Sequence, residues 1–253
     1  MKDLTFSSKY SGIPFYRTKS HPHLCGFRVV YKETDLLVLA ERDLTNETLK
    51  LVIEIRRPLE AYIMKNPLFL KSLVPLPEDP FAPPIVQKML IAGKVAGVGP
   101  MASVAGAIAE EVGKALLEKG LTKEVVVENG GDIFLSLKKE ARVSLFAGDS
   151  PFSGKIALLI PSSLQPCGVC TSSGKIGHSL SFGKADAITV VHKDTAVADA
   201  LATAFGNMLK EGEDFKKVTA RAEKIEGLLG VFAILKDRFY ALSQKIRIEP
   251  VCQ

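Results

Sequence analysis

Residues 169–206, VCTSSGKIGHSLSFGKADAITVVHKDTAVADALATAFG, place a hydroxyl-rich run, a short apolar strand and a helix in immediate succession. Asp194 or Thr195 is a good N-cap, and Val197, Leu201, Ala204, Phe205 and Met208 then recur at helical spacing as an apolar face. Asp199 and Thr203 are four residues apart, so their side chains are neighbours, and they point almost opposite to that face. A solvated side of an amphipathic helix is the bland explanation. Such a side carries long charged residues, and here those begin only afterwards, with Lys210, Glu211, Glu213, Asp214 and Lys216. The actual neighbours are Ala196, Ala202, Gly206 and Asn207, and Asp199 lies past the first turn, where capping and the dipole reward a carboxylate. Small residues let something approach. A carboxylate and a hydroxyl one turn apart suit a hard cation such as Mg²⁺, which takes one or two carboxylates, other oxygens and substrate phosphate.

Upstream, Thr171, Ser172 and Ser173 precede Gly174, Gly177 and His178. Hydroxyls and glycines in a run can turn several donors toward an anion such as phosphate, and they also make ordinary turns. The role of His178 depends on partners that the sequence does not place. Asn129-Gly130-Gly131-Asp132 lies between two strand-like runs. It is first a hairpin turn, although paired glycines also let backbone come close to a ring or a phosphate.

The chain of 253 residues is 47% hydrophobic and 24% charged, ordinary values for a globular protein able to bury a large core. Its formal charge of +5 is spread out, without a dense basic block, and Trp is absent, so neither a nucleic-acid surface nor a stacking platform is expected. The apolar runs are too short to span a bilayer, and no N-terminal apolar stretch resembles a signal peptide, so no membrane partner and a cytoplasmic location are expected. Four cysteines make no disulfide framework. Cys167 and Cys170 form a lone C-x-x-C, read as structural in preference to half of a metal site or a redox pair.

Strands are expected at residues 27–31, 36–40, 125–128, 133–137, 142–147, 155–160, 228–235, 238–242 and 245–248. Helices are expected at residues 45–65, interrupted or kinked at Pro58, from residue 85, from Gly99-Pro100 with Met101, Val104, Ile108, Val112 and Leu116 in register, and at 215–225. Pro75, Pro77, Pro80, Pro83 and Pro84 make residues 74–84 a surface loop and the candidate seam in an otherwise single domain, 1–253. Strands mostly adjacent in sequence, with helices grouped between them, predict an α+β layered fold whose sheet is largely antiparallel. No G-x-G-x-x-G follows a strand, which argues against a dinucleotide-binding doubly wound fold.

Three segments together, Asn129-Gly130-Gly131-Asp132, Thr171-Ser172-Ser173 followed by His178, and Ala198-Asp199-Ala200-Leu201-Ala202-Thr203-Ala204, resemble the motifs of the ApbE family in order and spacing. That family comprises magnesium-dependent flavin transferases that cut FAD and attach FMN to a threonine of a target protein. The versions here, GVCTSSG, GHSLSFGKADA and an N-terminal YKETDLLVLA, look most like a functionally uncharacterised branch of ApbE-like proteins in bacteria and archaea. The resemblance implies the ApbE-like layered fold, a flavin nucleotide (FAD) as small-molecule ligand, Mg²⁺ on Asp199, Thr203 and the Ala107 carbonyl, and an acceptor protein as partner. It also implies nucleotide contacts from Asn129, Gly130, Gly131, Asp132, Thr171, Ser172 and Ser173, and proton transfer by His178. Two departures stand out. The A-K-G-Y-A pattern of the metal-binding helix is replaced by Ala107-Ile108-Ala109-Glu110-Glu111, which lacks the lysine, and the H-x-x-x-P pattern is replaced by His178-Ser179-Leu180-Ser181-Phe182. A binding module without transfer, or an enzyme for another phosphorylated or heterocyclic metabolite, are therefore the alternatives.

Overall fold

The computed structural model describes residues 23–173 and 185–251. Its centre is an eight-stranded, wholly antiparallel sheet built from β1 (Cys25–Tyr31), β2 (Thr34–Ala40), β3 (Val125–Asn129), β4 (Asp132–Ser136), β7 (Cys167–Ser172), β8 (Ala187–His192), β9 (Leu228–Leu235) and β10 (Arg238–Leu242), in that spatial order. Neighbours in sequence are mostly neighbours in the sheet, so short turns set much of the register: Asn129 pairs with Asp132 across Gly130-Gly131, and Leu235 with Arg238 across Lys236-Asp237. Both central glycines of the first turn have φ in the left-handed region, +66° and +103°.

Alternation along each strand divides the core into two layers. Val125, Val127, Phe134, Cys170, Ile188 and Val190 face helices. Leu135, Cys167, Val169, Ala187 and Val191 face a second, three-stranded sheet of β5 (Ala141–Leu145), β6 (Ile156–Ile160) and β11 (Arg247–Pro250). The last strand, expected at 245–248 without a partner, spans residues 247–250 and crosses over to pair with β6.

The helical layer holds α1 (Thr45–Lys65), the short α2 (Pro67–Lys71), α3 (Pro84–Ala96), α4 (Val104–Glu118), α5 (Thr195–Met208) and α6 (Asp214–Ala222). Helix α1 continues through Pro58 as one helix, and Pro100–Ser103 forms a 3₁₀ turn before α4 rather than part of it. Helix α4 lies very close to the sheet, because Gly113 leaves room for the Phe134 ring: a Cβ there would sit 2.2 Å from Cδ1. Helix α5 packs equally closely on β7, where a Cβ on Gly168 would be 2.5 Å from Thr195 Cα. No single helix among the described residues is long and apolar enough to cross a membrane.

Candidate functional site

Two helices meet over the end of β4 and β7, and each supplies a carboxylate to the other's first turn. Asp199 of α5 accepts a hydrogen bond from the Gly106 N–H of α4 at 2.9 Å and is also bonded by the Ala105 N–H. Glu110 of α4 accepts from the Thr195 N–H, the first residue of α5, at 2.8 Å. The first amides of a helix have no partner within it, so these two carboxylates cap one another's helices. Gly106 is required at the crossing, since a Cβ would lie 2.5 Å from Thr195 O and 2.8 Å from Asp199 Cβ. The N-cap of α5 is Asp194, bonded to the Val197 N–H at 2.9 Å.

Glu110 is only 1% exposed, yet Lys88 at 3.3 Å and Lys114 at 2.5 Å flank it. Burial disfavours its charge, and the two ammonium groups with the Thr195 N–H outweigh this, holding its pKa below the usual glutamate range. Asp199 is treated differently. Burial pushes its pKa up to about 7, although the Gly106 and Ala105 amides pull the other way. Asp132, at the start of β4 and 8% exposed, is pushed well above the ordinary value by burial and then by the Asp199 charge. The Cys170 thiol and the Thr171 N–H, both hydrogen-bonded to Asp132, work in the opposite direction. The leading influences on the two aspartates are burial, neighbouring carboxylates and main-chain and thiol hydrogen bonds, and no cationic side chain of the described residues is among them. Two buried, interacting carboxylates of this kind are costly unless they share protons or hold a cation.

The other two members of the expected cation set lie on the same two helices as Asp199 and its amide partner. Thr203 lies one turn beyond Asp199 and is half-buried, and Ala107 is fully buried one residue after the amide bonded to Asp199. Among the described residues no group of three or more His, Cys, Asp or Glu side chains is arranged as a metal cage. Mg²⁺ does not need one, because it keeps water or phosphate oxygens beside one or two carboxylates. The donor set therefore fits Mg²⁺.

Other expected residues separate by face. Asn129 points to the helices, its Nδ2 donating to Ala105 O at 3.1 Å, and so ties the hairpin to the start of α4. Glu128, on the opposite face, accepts from the Gly131 N–H at 2.7 Å and fixes the turn. Ser172 approaches α5 at Gly206, where a Cβ would lie 3.4 Å from its Oγ. Ser173 Oγ donates to Asp186 O at 2.7 Å. Thr171 shares the sheet face of Cys167 and Val169, away from Asp199, and its hydroxyl is 2.8 Å from that of Thr189. Its contribution to the helix-side site is the main-chain N–H on Asp132, not the side chain. His178 lies outside the described residues.

The cysteine pair also divides. Cys167 and Cys170 are three apart on one strand, so they face opposite layers and cannot act jointly on a metal or form a redox couple. Burial raises Cys167 to about 12 and Cys170 well above the usual thiol value. Glu110 was legible only as one more charge in the polar half of α4.

A family model described as AbpE bacteria matches residues 17–238. The chain belongs to the AbpE bacteria family. A UPF0280 protein of Methanocaldococcus jannaschii is 42% identical over 218 residues, covering 83% of this chain and 87% of the relative. A UPF0280 protein of Archaeoglobus fulgidus is 39% identical, over 86% of this chain and 91% of the relative. Among solved structures, the apo form of the Pseudomonas stutzeri flavinyl transferase ApbE superposes with a TM-score of 0.59 at 17% identity, over 88% of this chain and 94% of that one. An ApbE protein of Thermotoga maritima gives 0.53 at 11%, over 86% and 96%. This AbpE-family chain thus has the ApbE fold, with the large antiparallel sheet and flanking helices expected from its sequence.

Proposed function

We propose that this chain binds a flavin nucleotide, FAD, together with Mg²⁺, and that the same site splits the FAD diphosphate and passes the FMN part to an acceptor. The observation that carries this reading is the buried, interacting Asp132 and Asp199 pair, with Gly106 against Asp199 and no cationic side chain of the described residues among the leading influences on either carboxylate. Its support at family scale is the fold shared with a protein named a flavinyl transferase. Asp199, Thr203 and the Ala107 carbonyl hold the cation, with Asp132 beside them. Bound Mg²⁺ would neutralise diphosphate oxygens and the charge that develops as the bond between them breaks. Gly130 and Gly131 bring main chain close to the nucleotide without side-chain obstruction, and Ser172 and Ser173 offer hydroxyls at the same sheet end. His178 is assigned to proton transfer by its motif position, and the reaction is placed in the cytoplasm.

Incubation of the purified protein with FAD and Mg²⁺, followed by chromatography for FMN and AMP, tests the reading. Asp199→Ala should abolish product formation, and turnover that survives a chelator would reject it. One observation favours a second reading, a flavin-binding module without transfer. The position of the family's lysine is Ile108 here, a buried apolar side chain that can neither bind nor neutralise a phosphate. FAD binding that requires Mg²⁺ but yields neither FMN nor AMP, with acceptor peptides present, would select it.

A further inference from the structure

The apolar surface of this molecule is concentrated in one place. Of the ten large apolar side chains that are exposed among the described residues, eight fall between Met64 and Val95. Phe81 is 96% exposed, Met64 82%, and Leu68 and Val74 64% each. Side-chain contacts draw these segments together around residues 78–82. Tyr62 of α1 stacks edge-on against Phe69 of α2 at 5.3 Å and donates to Asp79 at 3.0 Å. From the other side, Lys94 of α3 bonds Glu78 at 2.7 Å, and Gln87 donates to the carbonyls of Pro80 and Ala82. These contacts hold the end of α1, α2, the proline-rich loop and α3 together, and all eight exposed side chains lie on that assembly or the residues joining it.

At these exposures it offers on the order of 800 Å², the amount a standard-size interface takes from each partner and above the roughly 300–600 Å² of the largest patch on a typical monomer. Five prolines within residues 75–84 stiffen the loop, so little conformational freedom is lost on docking. The charges around the patch do not suit an anionic membrane. Lys94 is balanced by Glu78, and Lys88 turns inward to Glu110 and Glu111. That leaves Lys65 and Lys71 against Asp79, whereas lipid-binding surfaces gather about four to eight basic residues. A nearly neutral apolar surface of this size meets the area that a stable dimer needs and lacks the like charges that would repel a second copy.

We propose that this face is the interface of a two-fold homodimer, with Phe81 and Leu68 as its central anchors. Sedimentation of the full chain at about 5–100 µM tests this range of affinities directly. The wild type should sediment at twice 27.4 kDa. Phe81→Glu and Leu68→Glu should self-associate at least about tenfold more weakly, a loss expected for an interface anchor. Val30→Glu, exposed on β1 outside the patch, should leave the dimer intact. Because all three side chains are exposed, unchanged circular dichroism and melting temperature are the control on folding. A wild type monomeric throughout the range would overturn the proposal, as would a dimer indifferent to the Phe81 and Leu68 substitutions. A monomer that instead pellets with phosphatidylserine vesicles in a Phe81-dependent way would transfer the face to a membrane and also overturn it.

Discussion

That Asp199 lies on a buried face was legible in the sequence, because alanine and glycine surround it where a solvated helix would carry lysine and glutamate. Asp132 was singled out as a nucleotide contact by the motif resemblance, but its pairing with Asp199 was not legible, since nothing local says that β4 starts beneath α5. Their proximity makes a prediction about pH. With its folded pKa raised to about 7 against 3.8, Asp199 binds its proton more tightly when folded, so the stability it contributes is complete below about pH 3.8 and is lost as pH rises through about 7. Metal-free protein should therefore melt at lower temperature at pH 8 than at pH 5, by about 2–4 °C for each 1 kcal/mol lost. Asp199→Asn should flatten that dependence relative to the wild type. Millimolar Mg²⁺ should raise the wild-type melting temperature at pH 8 and leave it nearly unchanged at pH 5, where protons occupy the site. Calorimetry across pH with and without Mg²⁺ checks both, and a slope unaltered in Asp199→Asn would show that other groups carry the pH response.

Most helices and strands could be read from periodicity, because amphipathic patterns and turn residues are local signals. What a segment faces is not local. Thr171 read as a ligand-binding hydroxyl, but only the pairing of β7 with β8 reveals that its side chain joins Thr189 on the far side of the sheet. Glu110 stands in a charged run with Glu111, Lys114, Glu118 and Lys119, and nothing in that run marks it as the buried member. Its real task emerges from the crossing of α4 and α5, where the same four-residue span separates Gly106 from Glu110 and Thr195 from Asp199. Glu110→Ala should lower stability by about 1–3 kcal/mol, the cost of leaving the buried Thr195 N–H without an acceptor, whereas Glu110→Gln keeps an acceptor and should cost less. Urea denaturation gives the order, and an alanine variant as stable as the wild type would refute the capping role. Gly106→Ala forces the two helices apart and should cost about 1–3 kcal/mol by overpacking, with weakened Mg²⁺ binding measured by titration calorimetry.

At the scale of the whole molecule, the layered α+β class followed from the order of elements, whereas the destination of β11 did not. A chain end can add to any sheet edge, and its choice of β6 over the exposed side of β10 depends on contacts distant in sequence. The same layering joins the two aspartates from different tiers: Asp132 belongs to a central strand and Asp199 to a helix laid over it. An ion shared by them would act as a rivet through the stack. Amide exchange should then slow in α5, the first turn of α4 and β4 together when Mg²⁺ is added, while the β5, β6 and β11 amides keep their rates. Protection confined to a single one of those segments would mean that the ion sits on one tier and fastens nothing.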